Sequence, residues 1–355
     1  MRGNLVAIYG GTELDNRTEK FVGLLAEALL AYPDVVIVTG GFDYSVDSPR
    51  AISTDRAAFR GAESFAKARG IALEKCFQTW IPEPERDRKG VVRFREGLVH
   101  VLKGKSAQAR RLALVEQVDA VLTVRGKKHT ALVLDMALAV DKPALPIPFT
   151  GGDSLDYWKD NRAQIIQVFG LPNELVQHLE AEPVEDPTEL GRVARDLAQY
   201  VWKASYHVCL ILSPFRKEAD IFQDAVLNPA VKSAGFRPIR LDQTTDTGNI
   251  VEIFLSRLRR SDAVIADVTE GSANVLYELG QAHARGIEPM LISRRVLGDE
   301  VWKVLPFYLR QHRIIDCDAA TKEGRDVMTT HVREFLANIR STSSSPLARA
   351  AEPRV

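Results

Sequence analysis

What most constrains this chain is a recurring unit: a short apolar run, a glycine turn, then a stretch whose apolar residues recur with helical period. Leu5–Tyr9 runs into Gly10, Gly11 and Thr12, after which Phe21, Leu24, Leu25, Ala28 and Leu29 share one helix face. Val35–Val38 ends in Thr39, Gly40 and Gly41, and a helical pattern then runs from Thr54 to Arg69 and stops at Gly70. A third run, Val118–Val124, enters Gly126, Lys127, Lys128, His129 and Thr130, followed by a helix through Ala139 and a strand at Ala144–Ile147. The second half repeats the alternation, with strands at Val208–Leu212, Arg237–Leu241, Ala263–Asp267, Met290–Ser293 and Arg313–Asp316. Helices are predicted between them at Ala219–Ala234, Ile250–Arg260 and Asn274–Arg285, with a last one ending near Ile339. Alternation of this kind predicts an α/β fold of two doubly wound, Rossmann-like (flavodoxin-like) domains with parallel sheets.

At about 150 residues per domain, a length of 355 fits two cores. The expected division is a domain over 1–170, a linker and helix over 171–204, a second domain over 205–340 and a flexible tail over 341–355. Hydrophobic residues at 45% and charged residues at 26% exclude a disordered or collagen-like chain. Forty-seven basic residues balance forty-seven acidic ones, so no net field draws the chain to nucleic acid or an anionic membrane. No apolar run reaches a membrane span, and Met1-Arg2-Gly3-Asn4 leads straight into a strand-like segment instead of a signal peptide, which predicts a cytoplasmic protein. Cys76, Cys209 and Cys317 are odd in number and widely spaced, which argues for buried free thiols and against a zinc ribbon or disulfide framework. No metal site and no required cofactor is expected.

In a parallel sheet the three glycine turns of the first half converge at the carboxyl ends of the strands. A helix N-terminus after such a turn offers unpaired N–H groups and a positive dipole end, so the expected ligand is an anionic nucleotide. The plainer alternative is that the glycines serve tight turning only. Gly40-Gly41, Arg60-Gly61-Ala62, Ala109-Arg110-Arg111, Val118-Asp119-Ala120 through Gly126, Thr130-Ala131 and Lys142-Pro143 together resemble the SLOG superfamily over about the first 150 residues. That superfamily includes the LOG phosphoribohydrolases, DprA-like proteins and ligand-sensing domains of prokaryotic defence effectors. Arg110 matches the arginine of the catalytic members, but Val133 stands where their glutamate follows the threonine. The resemblance therefore implies a domain that binds a nucleotide-derived ligand without cleaving sugar. Gly10, Gly11, Thr12, Gly40, Gly41, Gly126 and Thr130 would line the site, with Arg110, Lys127 and Lys128 on its phosphates.

In the second half the most informative stretch is Asn274–His283. A spacing of four puts Asn274 and Glu278 on one helix face, and Gly280 and Ala282 admit close backbone. A carboxylate within the first turns of a helix is favoured in its ionised form, which suits a nucleophile. Ser213-Pro214-Phe215 ends the first strand and Asp242–Gly248 the second, so both loops should face Glu278 across one sheet edge. These residues, with Ala266-Asp267-Val268-Thr269, resemble the nucleoside 2-deoxyribosyltransferase-like superfamily over about 208–339, to which TIR-like NAD-cleaving domains are mechanistically related. The resemblance implies that Glu278 attacks or supports the anomeric carbon of a ribosyl group while the base departs. Asp267 is the expected partner carboxylate, with Asp242 second. Eleven positions separate Asp267 from Glu278, more than in the transferases, which weakens the case for transfer between free deoxynucleosides. Asn274 would bond a ribose hydroxyl, Ser213 would contact substrate, and Phe215 and Tyr277 would stack on the base. The alternatives are a surface Glu278 paired to Arg285 or Arg260, an Asp267 that caps the next helix, a Tyr277 in the core and a His283 that only packs.

Together these expectations describe an N-glycosidase effector acting on NAD or a related nucleotide through Glu278, regulated by a nucleotide on the first domain, as in prokaryotic antiphage defence. Both resemblances imply a homo-oligomer. Two alternatives stay open: a nucleotide-binding sensor without catalysis, and a metabolic nucleoside or nucleotide hydrolase or deoxyribosyltransferase.

Overall fold

The structure, a computed structural model, describes residues 4–104, 106–140, 142–181, 186–240, 249–259, 261–296, 298, 303 and 305–342. Its contacts divide the chain into two compact units that meet in sequence between Ser205 and Tyr206. The fold is α/β with two parallel sheets, each flanked by helices.

In the first unit the strands are β1 (Asn4–Gly10), β2 (Val35–Thr39), β3 (Phe42–Ser45), β4 (Phe77–Pro82), β5 (Val91–Arg93), β6 (Leu98–Leu102), β7 (Ala120–Val124) and β8 (Ala144–Ile147). Six of them form a parallel sheet in the order β6-β4-β2-β1-β7-β8, and β3 and β5 pair antiparallel in a small separate ribbon. Helices α1 (Asn16–Leu30), α2 (Thr54–Arg69), α3 (Ala107–Gln117), α4 (His129–Ala139), α5 (Gly152–Phe169), α6 (Asn173–Glu180) and α7 (Pro187–Ala204) complete the unit. Sequence signals fix several ends: the Asp15 carboxylate accepts from Thr18 N–H at 2.8 Å to start α1, Ser53 Oγ accepts from Arg56 N–H at 3.0 Å to start α2, and Gly70 ends α2 with φ 61°. α1 and α2 cross where Gly61 lies on Gly23; a Cβ on Gly61 would stand 2.2 Å from the Gly23 carbonyl oxygen.

One sheet face, through Val6, Ile8, Ile37 and Leu122, buries α1 and α2 together with α7 residues such as Leu190, Leu197 and Val201. The other face buries Leu114 and Val115 of α3 and Val133 and Ala137 of α4. The segment 171–204, expected as a linker and helix, is thus part of the first unit's core: α6 adds Leu175, Val176 and Leu179 to it.

In the second unit β9 (His207–Leu212), β10 (Phe236–Ile239), β11 (Ala263–Asp267), β12 (Met290–Ser293) and β13 (Ile314–Asp316) form a parallel sheet in the order β10-β9-β11-β12-β13, the doubly wound order of the flavodoxin type. Its helices are α8 (Lys217–Phe222), α9 (Asn228–Ser233), α10 (Ile250–Arg259), α11 (Ala273–Ala284) and α12 (Lys322–Thr342). The single helix expected over 219–234 contains a π-helical turn at Gln223–Leu227, where Asn228 N–H reaches back to Gln223 O. Pro229 has no N–H for the carbonyl four residues earlier, and the wider turn accommodates it. Buried Ile211, Phe222, Ile265 and Val332 form the core on one sheet face, and Leu212, Phe254, Val275 and Leu279 on the other. Among the described residues no helix is long and apolar enough to cross a membrane, and all three cysteines are buried free thiols. Residues 343–355 of the expected tail lie outside the described residues.

Candidate functional site

Each sheet reverses its strand order at one point, and the crevice at the carboxyl end of the strands there is the natural ligand position. In the first unit it lies between β1 and β7, in the second between β9 and β11.

At the β1–β7 crevice the backbones approach closely. A Cβ on Gly10 would stand 2.0 Å from Val124 O, and Gly11 N–H donates to Val124 O at 2.9 Å. Gly11 O in turn accepts from Thr54 N–H and Thr54 Oγ, both at 2.9 Å. These two glycines therefore lock strand to strand and strand to helix, and only Thr12 of that turn is exposed. The turn after β2 is also satisfied internally: Asp55, at the start of α2, accepts from Phe42 N–H at 2.9 Å and from Gly40 N–H. Burial pushes its carboxyl up to about 6, and those N–H groups together with Arg93 pull in the other direction. The anion at Gly40-Gly41 is the chain's own carboxylate, with Arg93 donating to Gly40 O at 2.7 Å and clamping Asp87 with its remaining nitrogens.

The turn after β7 differs. Arg125, Gly126 and Lys128 all have positive φ, at 52°, 95° and 50°. Around Lys128 (ψ −51°) His129 N–H bonds Lys127 O at 2.5 Å, a γ-turn of the strained hand. Gly126 is needed because a Cβ there would stand 2.0 Å from the hydroxyl of buried Thr130. The loop's carbonyls cap α5: Asp153 N–H bonds Gly126 O at 3.2 Å and Ser154 N–H bonds Arg125 O at 3.1 Å. Among the described residues the N–H groups of Gly126, Lys127 and Lys128 donate to no acceptor, and such a run makes an anion-binding concavity. Cations gather beside it. Burial holds His129 below its ordinary value and Arg111 and Arg88 add to the effect. Burial likewise lowers Arg110; Asp87 opposes this, while Arg93, Arg111 and Arg86 reinforce it. Arg111 Nε donates to the Tyr9 hydroxyl at 3.2 Å. Of the residues singled out in the sequence, Gly126, Lys127, Lys128 and Thr130 come together here, and Arg110 stands among Asp87, Arg93, Arg111 and Arg86. Arg88, Arg111, His129 and Tyr9 were missed, and only the basic doublet Arg110-Arg111 signalled one of them.

In the second unit Ser213 is buried at the end of β9, and Phe215 follows it 53% exposed with the Arg240 guanidinium 5.5 Å from its ring centre. Asp242 lies outside the described residues. Asn274 is exposed in the first turn of α11, Tyr277 is 53% exposed, and Glu278, one turn beyond Asn274, is half-buried. Among the described residues Glu278 has no hydrogen-bond or ion-pair partner; Arg285 does not pair with it, and Arg260 is outside the described set. Burial pushes the Glu278 carboxyl up to about 7.

Asp267 is treated in the opposite way. It is buried at the end of β11, one oxygen accepting from Arg294 Nε at 2.6 Å and the other from Thr269 N–H at 3.0 Å and Thr269 Oγ at 2.5 Å. Arg294 continues to Glu270 at 3.0 Å, and Glu270 to Arg216 at 2.7 Å. This chain of charges ties β11, β12 and the β9 loop together, so Asp267 serves as an anchor with both of its oxygens engaged; the sequence carried no sign of Arg294. His283 is half-buried and stacks on His312 at 5.1 Å. Among the described residues no cluster of His, Cys, Asp or Glu could hold a metal ion.

The two units thus define a two-domain, parallel-sheet α/β protein with a basic crevice in one unit and, in the other, a carboxyl that has no partner among the described residues. No protein-family model matches the chain, and no curated protein matches it. Among solved structures, the X-ray structure of TM1055 aligns with 54% of this chain and 97% of its own, at 19% identity and a TM-score of 0.32. The molybdenum cofactor binding protein of the phototrophic bacterium Rippkaea orientalis aligns over 56% and 98%, at 16% identity and 0.33. The molybdenum cofactor carrier protein of Chlamydomonas reinhardtii aligns over 40% and 75%, at 16% identity and 0.28.

Proposed function

We propose that this protein binds nucleotides in both units and that the second cleaves the N-glycosidic bond of NAD or a related nucleotide. The observation that carries the reading is Glu278: a half-buried carboxyl on the first turns of α11, with no partner among the described residues and a pKa raised to about 7. Structural carboxylates such as Asp267 are paired within the fold, whereas one with no partner among the described residues, on the helix that follows the strand, is available to a ligand. In its ionised form it stabilises the positive charge that develops at the anomeric carbon as the C–N bond breaks. The bonding electrons leave with the base, which for a nicotinamide ribosyl group departs neutral, and water then adds at the anomeric carbon and releases a proton. Asn274 lies one helical turn from the carboxylate and suits a ribose hydroxyl; exposed Phe215 and Tyr277 offer aromatic faces to the base. In the first unit the free N–H run of Gly126–Lys128, with Arg110, Arg111 and His129, suits phosphate, and the missing carboxylate at Val133 makes that site one for binding.

The test is chromatographic analysis of products from wild-type and Glu278→Gln protein incubated with NAD, nucleosides and nucleotides, with and without cyclic or ADP-ribose-type activators. Base release by the wild type is expected to rise with pH through about 7, as Glu278 ionises, and to vanish in the variant. No base released under any condition would replace this reading with a binding protein, the reading that the pairing of Asp267 with Arg294 favours.

A further inference from the structure

Among the described residues β6 has one ladder partner, β4, and its outer edge carries no strand. The strand reads Leu98-Val99-His100-Val101-Leu102 and is open to solvent, with Leu98 43% and Val101 40% exposed. An apolar edge of this kind displays unpaired backbone donors and acceptors as a template for another strand. Proteins blunt such edges with a lysine, a proline or a bulge, and β6 contains none of the three.

The strand is also a palindrome about His100. When two copies of one strand pair antiparallel across a two-fold axis, positions equally distant on opposite sides of the centre face each other. Leu98 then meets the partner's Leu102, Val99 meets the partner's Val101, and His100 meets its own copy. His100 already lies edge-on to Trp80 of β4, with ring centres 5.5 Å apart, so pairing extends an aromatic row across the junction. We propose that β6 pairs antiparallel with β6 of a second copy about an axis through His100, joining two six-stranded sheets edge to edge. An edge pair of five residues buries less than the roughly 1,200 Å² of a stable interface, so association in the micromolar range is expected.

Cysteine trapping in the full chain tests the register, because all three native cysteines are buried. Facing residues of antiparallel strands have Cα atoms roughly 4.5–5.5 Å apart, within disulfide reach. Under mild oxidation His100→Cys is expected to form a disulfide-linked dimer. Leu98→Cys alone is not, because its copy lies about 13 Å along the strand, whereas Leu98→Cys combined with Leu102→Cys is. Sedimentation supplies the second arm: the wild-type mass should climb toward the dimer between roughly 1 and 200 μM, while Val101→Lys stays monomeric with an unchanged melting temperature. Equal cross-linking at positions 98 and 100, or a wild type that stays monomeric throughout that range, would overturn the proposal.

Discussion

Asp267 ends β11 and Glu278 lies on α11, the helix that follows it, and their surroundings treat them in opposite ways. Arg294 and Thr269 supply the solvation that Asp267 gives up on burial, while among the described residues nothing replaces what Glu278 loses. The native Glu278 pKa of about 7 lies above its ordinary 4.5, so the folded state holds this proton more tightly than the unfolded chain does. Its contribution is therefore complete below pH 4.5 and is lost as pH climbs through 7. Glu278→Gln is expected to raise the melting temperature at pH 8, by roughly 2–4 °C, and to change little at pH 4.5. Calorimetry at the two pH values checks this, and equal shifts would mean that Glu278 is solvated like a surface carboxylate. Spacing along α11 made Glu278 legible in the sequence. The arginine that occupies Asp267 was not, because it lies 27 residues away and reaches the carboxylate only through the pairing of β11 with β12.

At the scale of elements, the strands read from the sequence were those whose residues are apolar and buried, such as β2, β7, β9 and β11. β4 and β6 escaped for different reasons. Gln78, Thr79 and Pro82 break the apolar run of β4, and β6 is solvent-facing, so its pattern has no buried face to advertise. The crossing of α1 and α2 was likewise invisible, since glycines inside helical patterns look like weak points until the partner helix is placed. It gives a paired prediction. Gly61→Ala should lower stability by about 1–3 kcal/mol, because its Cβ would stand 2.2 Å from Gly23 O and the helices must part. For Gly23→Ala the nearest atom is an ordinary 3.7 Å away, so the gain in helix propensity, up to about 1 kcal/mol, should show as greater stability. Urea unfolding of the two variants should give midpoints on opposite sides of the wild type.

At the scale of the whole molecule, the α/β class and the two parallel sheets followed from alternation alone, but the place of the segment after Gly170 did not. Its prolines and acidic residues look like a connector, yet Leu175, Leu179, Leu190, Leu197 and Val201 lie in the first unit's core. A fragment ending at residue 205 is therefore expected to melt in one cooperative transition. A fragment ending at residue 170 lacks α6 and α7 and should show a broad, low-temperature transition with exposed apolar surface. Circular dichroism melts with a hydrophobic dye distinguish the two, and equal cooperativity would remove α7 from the core.

The γ-turn at Lys128 has a consequence for anyone who selects on this chain. Glycine tolerates that backbone better than lysine does, so Lys128→Gly should raise the melting temperature by a few degrees. By removing a cation beside the N–H run, the same change should weaken the proposed nucleotide binding several-fold, as titration calorimetry would read. A screen for heat resistance and a screen for binding of the proposed ligand would then pull position 128 in opposite directions, and a library selected for robustness alone would drift away from that ligand.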